Sequence, residues 1–218
     1  MLCANNRLRF IRYPPIRGEI VDRNGVPMAA NVTTFDIMGY PLDIEKDGMI
    51  EGLGALLSRH GIPLSEDDLR REIKRQTWAP YRVVCVVSNI TLAQMAELVA
   101  DPDFPQQLFP IPVLRRTYPA GGVASNVTGF VGEISENELK QMEGKGYVGG
   151  DQIGKTGIER QYEDMLRGRP GGESVEVDAR GRRVRRIDSS PAGRGMDLQL
   201  TLDLGAQRLA ADLLKGYR

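Results

Sequence analysis

The sequence predicts an α+β fold of short mixed strands and amphipathic helices in an elongated, multi-lobed arrangement. Three observations support this prediction. Hydrophobic residues make up 41% of the 218-residue chain and charged residues 27%, a composition typical of one or two globular domains. The 25 glycines and 13 prolines indicate many turns and short elements. Apolar residues recur with the period of strands in some segments and with helical spacing in others.

The composition argues against several classes of function. Lys and Arg together number 29, as do Asp and Glu, so no overall electrostatic field attracts nucleic acid or anionic lipid. Cys3 and Cys85 are the only cysteines and His60 is the only histidine. These are too few for a disulfide framework or a zinc site, and we expect neither a metal nor a cofactor. Cys85 lies in an apolar run and is expected to be a small core residue.

Two features of the sequence bear on its cellular location. The chain contains no run of 18 apolar residues and no signal peptide, which taken alone places it in the cytosol. Its opening residues MLCANNRLRFIRYPP, however, show no start of a folded element, and the last predicted helix is still running at residue 218. We therefore expect a fragment of a longer chain.

The first part of the chain predicts a hairpin, a strand and two helices. Residues 17–30 place apolar pairs on both sides of Asn24-Gly25, the pattern of a β-hairpin whose glycine takes a positive φ. Residues 33–40 predict the next strand. Helical spacing then predicts two short helices, the second with Ser65 as its N-cap. Their core-facing residues are Leu53, Leu56 and Leu57 in the first and Leu69 and Ile73 in the second.

The middle of the chain supplies the candidate partner-binding residues. Residues 81–88 (YRVVCVVS) predict a strand at the centre of a sheet, covered on both faces. Thr91 and Gln94 predict a capping box that begins a helix. The following loop, DPDFPQQLFPIP (101–112), is expected to be stiff, and its large apolar side chains belong either to the core or to a surface that contacts a partner protein. The core is the favoured location for the loop residues. The second possibility, extended to the apolar side of the preceding helix, gives the candidates Leu92, Met95, Val99, Phe104, Leu108 and Phe109.

Residues 149–156 (GGDQIGKT), from Gly149 to Thr156, match the pattern of a phosphate-binding P-loop, which would make the protein a nucleotide hydrolase. A P-loop follows a buried strand, and the preceding residues EGKGYV do not predict one. The alternative is structural, with Thr156 capping a helix and Glu159 completing a capping box. We favour this alternative, in which one apolar stripe is formed by Ile158, Tyr162, Met165 and Leu166.

The last part of the chain predicts a hairpin about Arg180-Gly181, a linker over residues 188–193, a half-buried strand over 198–202 and a helix capped by Asp203. Arginines cluster near the hairpin turn. They would either bind a polyanion or simply be the solvent-exposed residues of the hairpin. The balanced charge and the lack of aromatic residues among them favour the second reading. One face of the final helix is predicted to carry Ala206, Leu209, Ala210 and Leu213.

Four ordered motifs resemble the non-catalytic N-terminal region of class B penicillin-binding proteins of the elongation type. The resemblance covers the chain from about residue 5 onward and implies a pedestal domain, of the kind named for dimerisation, on the outer face of the cytoplasmic membrane. The motifs are RGEIVDRNG (17–25), YPAGG (118–122) with ASNVTGFVGE (124–133), GDQIGKTGIE (150–159) with Tyr162-Glu163, and LTLD (200–203).

The resemblance also implies how the chain is divided and what it does. Residues 1–16 would be membrane-proximal, 17–202 the pedestal, in two lobes, and 203–218 the start of the helix that leads into a transpeptidase domain. The family's nucleophile lies in a Ser-x-x-Lys motif, and no serine here has a lysine three residues later. Ser135-Glu-Asn137 and Lys155-Thr-Gly157 imitate the other two active-site motifs, but their position in the pedestal argues against a catalytic role. Ser135 with Glu138 is instead expected to cap a short helix.

What remains is a structural and interaction function in cell-wall elongation and rod shape. By resemblance, the pedestal positions the transpeptidase domain and contacts the scaffold protein MreC and the glycosyltransferase RodA. The same resemblance implies a periplasmic location, with the membrane anchor outside this sequence.

Overall fold

The computed structural model describes residues 7–44, 49–76, 83–177 and 183–215. The chain divides into two compact units, which we call the inserted unit (Val32–Arg115) and the discontinuous unit (Met1–Asn31 with Arg116–Arg218). Both contain helices and strands, and the described strands form three small sheets in all, so the predicted α+β class is confirmed. None of the helices in the described part of the chain has the length and hydropathy needed to span a bilayer.

The inserted unit consists of helices and strands around one apolar core. Its elements are the second part of β3 (Pro27–Gly39), α1 (Pro41–Ile44), α2 (Met49–Arg59), α3 (Glu66–Gln76), β4 (Val84–Ile90), α4 (Leu92–Ala100) and most of β5 (Phe109–Thr117). The predicted core residues of α2 and α3 are all buried, and the two helices share one cluster with β3 and β4. The helical spacing therefore predicted the core-facing sides of α2 and α3 correctly.

Strand β4 is at the end of its sheet, which corrects the predicted central position. Among the described residues, β4 pairs with β3 and with no second strand. One of its faces is covered by a helix, since Val84 and Val86 share the core cluster with Ile73 of α3. The other edge is partly satisfied by the Gln76 amide, whose Oε1 accepts from Cys85 N (2.9 Å) and whose Nε2 donates to Cys85 O (3.0 Å). An apolar run in a strand can therefore result from helix cover at the edge of a sheet and does not by itself indicate a central strand.

Strand β5 includes part of the segment that was predicted to be a stiff loop. The strand includes residues 109–112, which were assigned to the stiff loop, and it pairs with β3. Two prolines are tolerated because a strand with a free edge does not need every N–H for pairing. In the described residues, β3 is the partner of β5.

The discontinuous unit is assembled from the two ends of the chain and many short elements. They are β1 (Arg7–Tyr13), β2 (Ile20–Val21), the start of β3, α5 (Ser125–Thr128), β6 (Val131–Glu133), α6 (Glu136–Gln141), β7 (Gln152–Gly154), α7 (Gly157–Gln161), α8 (Glu163–Leu166), β8 (Gly171–Val177), β9 (Arg183–Ser190), β10 (Leu198–Gln199) and α9 (Leu204–Lys215). The apolar core contains Ile20, Met28, Ala29, Ala120, Leu166 and Leu204.

The predicted hairpin over residues 17–30 is present. Ile20 pairs with Ala29 across the turn, and Gly25 has a φ of +80°. The carboxylate of Asp22 organises this region, because it accepts from Asn24 N (2.7 Å) and Val26 N (2.8 Å) in the turn and from Leu204 N (3.0 Å) at the start of α9. The hydrogen bond from Leu204 is the main reason why the pKa of Asp22 is lowered.

A three-stranded antiparallel sheet with the order β1–β8–β9 corrects two predictions. The opening residues do start a folded element, since Arg7–Tyr13 pair along β8. Residues 188–190, assigned to a linker, are the end of β9 and pair with the start of β8. The predicted hairpin of β8 and β9 is confirmed, while its turn, including Arg180 and Arg182, lies outside the described residues.

The helix predicted after residue 156 is two short helices, and its predicted capping box is absent. Thr156 is the N-cap of α7 but its side chain makes no capping hydrogen bond. Glu159 is fully buried and bonded to arginines, as described below, and a buried carboxylate with charged partners is not available to cap a helix. Of the predicted apolar stripe, Leu166 is fully buried and Ile158 packs on the core, whereas Tyr162 and Met165 are each 39% exposed.

Helix α9 begins as predicted but is mostly exposed. Asp203 Oδ1 accepts from Ala206 N (3.0 Å) in the first turn, and Leu204 is buried in the core. The predicted apolar face points to solvent, with Leu209 63% and Leu213 61% exposed. The preceding strand β10 has only two residues and pairs in parallel with β2. Leu200 and Leu202 beyond it still pack against the core.

Candidate partner-binding site

Helix α4 presents two of the candidate partner-binding residues to solvent. Leu92 is 62% exposed and Val99 is 42% exposed. They are seven residues apart, so they share one face of the helix. The predicted Thr91–Gln94 capping box is formed, and fully buried Leu98 anchors α4. Met95 is partly buried and packs on the core, so the candidate face of α4 is only partly free.

A second exposed apolar group lies at the start of β5. Phe109 is 38% exposed, and its ring is 6.5 Å from that of Tyr40 at an interplanar angle of 50°. This tilted arrangement is one that aromatic pairs prefer. Tyr40 is itself 43% exposed. The sequence analysis did not select Tyr40, although a large aromatic residue directly before Pro41, at the end of a strand, was visible there.

The other two candidates belong to the core. Leu108 is 3% exposed, and its Cδ2 lies so near Gly39 that a Cβ there would be 2.6 Å away. Phe104 is partly buried against the same cluster. The six candidates are therefore not one exposed surface. Leu92, Val99 and Phe109 are accessible, and their role in binding stays a prediction.

Polar contacts fix the strands that carry these residues. Arg115 of β5 donates to both carboxylate oxygens of Asp36 in β3 (2.7 and 2.8 Å) and to Thr34 Oγ1 (3.1 Å). Asp36 also accepts from Asn89 N of β4 (2.9 Å). One half-buried ion pair, in which Arg115 Nη2 contacts both carboxylate oxygens, thus links three strands, and charge-assisted hydrogen bonds of this kind are stronger than neutral ones.

The loop after α4 is held at its base by α2. His60 Nε2 is 3.0 Å from Asp101 Oδ2, and this hydrogen bond is the main reason why the pKa of Asp101 is lowered. Arg59 donates to Asp103 (2.8 Å). The loop that leads to Phe104 and Leu108 is therefore held at its start.

The P-loop-like segment does not have P-loop geometry. Residues 152–154 form strand β7, paired with β6, instead of a loop that could surround a phosphate. Lys155 Nζ donates to Glu138 Oε2 (2.6 Å), and this bond lowers the pKa of Glu138 to about 2. Glu138 also forms the predicted capping box with Ser135. The serine and lysine that imitate active-site motifs thus serve helix α6.

A buried ionic network occupies the middle of the discontinuous unit. Glu159, with no exposed surface, accepts from Arg17 Nε (2.6 Å) and from Arg116 Nε (2.8 Å). Arg17 also donates to Glu163 Oε2 (2.6 Å). Burial alone would lower the pKa of Arg17, but the bond to Glu163 and the nearby carboxylate charges raise it. Two cations and two anions therefore neutralise each other away from water.

Two tyrosines extend this network. Tyr147 donates its hydroxyl to Glu163 Oε1 (2.8 Å), and the Tyr118 hydroxyl accepts from Val131 N (2.8 Å). Burial raises the pKa of Tyr118 to about 12, and burial with the Glu163 bond raises that of Tyr147. The sequence analysis did not predict these pairs. Most members lie in the resembling motifs, but those motifs do not indicate which charges meet.

Comparison with known proteins places the chain in a recognised group. Residues 12–200 match the family model described as the penicillin-binding protein dimerisation domain. The chain is 37% identical to the peptidoglycan D,D-transpeptidase MrdA of Acinetobacter baumannii, over 98% of this chain and 31% of that protein. It is 36% identical to MrdA of Escherichia coli K12, over 98% of this chain and 34% of that protein.

A solved structure is similar over almost the whole chain. A complex between a penicillin-binding protein (PBP2) and MreC from Helicobacter pylori matches with a TM-score of 0.75 and 28% identity, over 97% of this chain and 39% of that one. The predicted resemblance is thus confirmed. The chain spans about a third of the length of the curated relatives that it matches.

Proposed function

We propose a function from the family to which this chain belongs, the penicillin-binding protein dimerisation domain. In our proposal the chain is the non-catalytic pedestal of a peptidoglycan D,D-transpeptidase that acts in cell-wall elongation. It would position a catalytic domain and bind a partner protein. The names of the similar MrdA proteins support the reaction class, and the similar complex with MreC supports the partner.

One observation carries the partner-binding part of the proposal. Leu92, Val99 and Phe109 are large apolar side chains exposed on the inserted unit, whose core contains their sequence neighbours Leu98 and Leu108. Exposed residues that the core does not need are free to be buried by another protein. Tyr40 adds a second aromatic ring, and aromatic residues are enriched among those that dominate binding energy.

The experiment measures binding of the periplasmic part of MreC and thermal stability for the same variants. Phe109→Asp and Val99→Asp should each weaken binding by about tenfold or more and leave the melting temperature nearly unchanged. Leu108→Asp should lower both, because it places a charge in the core. Val148→Asp is the matched control, since Val148 is 44% exposed in the other unit, and it should change neither.

If Phe109→Asp and Val99→Asp both bind the periplasmic part of MreC with unchanged affinity, the proposed site is refuted. A parallel loss of binding and stability in Phe109→Asp would show that Phe109 is needed for folding instead.

Three further parts of the proposal rest on the resemblance. The partner set would include RodA, the location would be periplasmic with an anchor elsewhere in the longer protein, and residues 203–218 would lead into the transpeptidase domain. The exposed Leu209 and Leu213 of α9 support the proposed link to a transpeptidase domain, because a helix that contacts another domain can bury its apolar face there. The P-loop hydrolase is not proposed, since residues 152–154 form a strand.

A further inference from the structure

A cavity of about 340 Å³ lies on one face of the β1–β8–β9 sheet in the discontinuous unit. Its volume is in the lower range of small-molecule sites. The lining combines one aromatic ring, one proline, two side chains of opposite charge, two hydroxyl groups and glycine backbone. These residues are Phe10, Arg12, Pro170, Ser174, Asp188 and Ser190, with Gly146, Gly171 and Gly172.

The strand register explains why these residues meet. Phe10 of β1 lies opposite Ser174 of β8, which lies opposite Asp188 of β9. The next row on the same face is Arg12, Gly172 and Ser190. Because Gly172 has no side chain, backbone forms the floor between Arg12 and Ser190. Two strand spacings and two residue steps separate the Cα atoms of Arg12 and Asp188 by about 12 Å. One small molecule fits between the two charged groups.

The Arg12 side of the cavity carries an excess of positive charge. Arg12 Nη2 and Arg167 Nη2 share one oxygen of Asp151 (2.9 and 3.1 Å), so two cations face one carboxylate. Arg12 Nη2 also donates to Gly146 O (2.9 Å). Its Nε is buried and has no hydrogen-bond partner in the part of the chain that the structure describes. Because protein encloses this Nε, an anionic ligand group at this end would be attracted by net charge, since two guanidinium groups share one carboxylate.

We propose that this cavity, which we call the sheet cavity, binds a short peptide with free ends. The peptide carboxylate lies at Arg12, its ammonium group at Asp188, and its apolar side chains on Phe10 and Pro170. The two opposite charges at opposite ends of the cavity favour a zwitterion over an anion, which Asp188 would repel. They also favour it over a neutral sugar, which would leave both charges partly desolvated without a charged partner. The site is independent of the partner-binding surface.

The test is an NMR titration of this chain with D-alanyl-D-alanine. Shifts should map to the amides of Gly171, Gly172, Ser174 and Ser190. N-acetylation removes the ammonium group and C-terminal amidation removes the carboxylate, and each should weaken binding by about tenfold, as expected for loss of one charged hydrogen bond. N-acetylglucosamine is the neutral comparison and should not bind at the same concentrations.

Variants assign each end of the ligand. Asp188→Asn should weaken binding of the dipeptide but leave the affinity for its N-acetyl form unchanged, because that form has no ammonium group to lose. Phe10→Ala should weaken binding of both. Its control is Leu8→Ala, since Leu8 is 70% exposed on the same strand and does not line the cavity.

Several results would overturn the assignment. They are no dipeptide shifts at the sheet cavity, equal binding of the free and capped dipeptides, and binding of the sugar instead. Asp188 is exposed and Phe10 is 66% exposed, so both variants should fold, which circular dichroism checks directly.

Discussion

Removing one charge from the buried network tests how the discontinuous unit is held together. Glu159→Gln keeps the shape of the side chain and removes its negative charge. Arg17 would keep Glu163 as a partner at 2.6 Å. Arg116 would keep only neutral acceptors, Gly18 O (2.7 Å) and Asn31 Oδ1 (3.3 Å), while its Nη2 is already buried without a hydrogen-bond partner among the described residues.

The expected magnitude follows from the burial of Arg116. Its side chain is 4% exposed and that of Glu159 is 0% exposed, so solvent cannot compensate for the lost charge. Breaking a buried ion pair by removing one partner costs about 3–5 kcal/mol. Because domains are stable by roughly 5–15 kcal/mol, the variant should lose a large part of its free energy of unfolding.

Urea unfolding followed by circular dichroism measures this loss. Asp164→Asn is the matched control, because Asp164 is in the same unit and forms an exposed ion pair with Lys145 (3.6 Å). The side chain of Asp164 is 82% exposed and that of Lys145 is 53% exposed. Exposed pairs contribute about 0–1 kcal/mol. If Glu159→Gln changes stability no more than Asp164→Asn, the network does not stabilise the unit as argued here.

Two further predictions concern the P-loop-like segment. Gly154→Ala should lower the free energy of unfolding by about 1–3 kcal/mol, because its Cβ would lie 2.1 Å from Glu159 O. Gly149→Ala should have no effect in the same urea assay, since nothing lies within 4 Å of its Cβ; equal effects would contradict the strand geometry. Glu138 should titrate near pH 2 by NMR, with Lys155→Met moving its pKa upward. Its contribution to stability is present above pH 4.5 and is lost as the pH falls towards 2; a native pKa near 4.5 would contradict the Lys155 bond.

Local patterns predicted several elements because their causes are local. Thr91 and Gln94, and Ser135 and Glu138, form capping boxes within one helical turn. The Asn24-Gly25 turn likewise depends on the positive φ that glycine adopts readily. Such features need no knowledge of the rest of the chain, and the structure agrees with them.

The candidate site shows where local patterns fail. Spacing grouped Leu108 with Phe109, yet one is buried and the other exposed. Leu108 lies just before β5 and packs against Gly39, whereas Phe109 begins the strand beside Tyr40, and both contacts are with residues distant in the sequence. The Thr156–Glu159 capping box failed for a similar reason. Its sequence pattern was correct, but Arg17 and Arg116, distant in the sequence, bind the carboxylate.

The amino-acid sequence by itself determined the α+β class, the family motifs and the caps and turns, because these depend on residues close together in the chain. Only the tertiary structure decided which charges are buried together, which of the six candidates remain exposed, and how strand β1 joins β8 to form one side of the sheet cavity. The buried network and the sheet cavity depend on contacts between residues more than a hundred positions apart, as between Arg17 and Glu159, and such contacts form only when the chain ends meet in one unit. The exposure of the six candidates depends on packing within the inserted unit, as between Leu108 and Gly39.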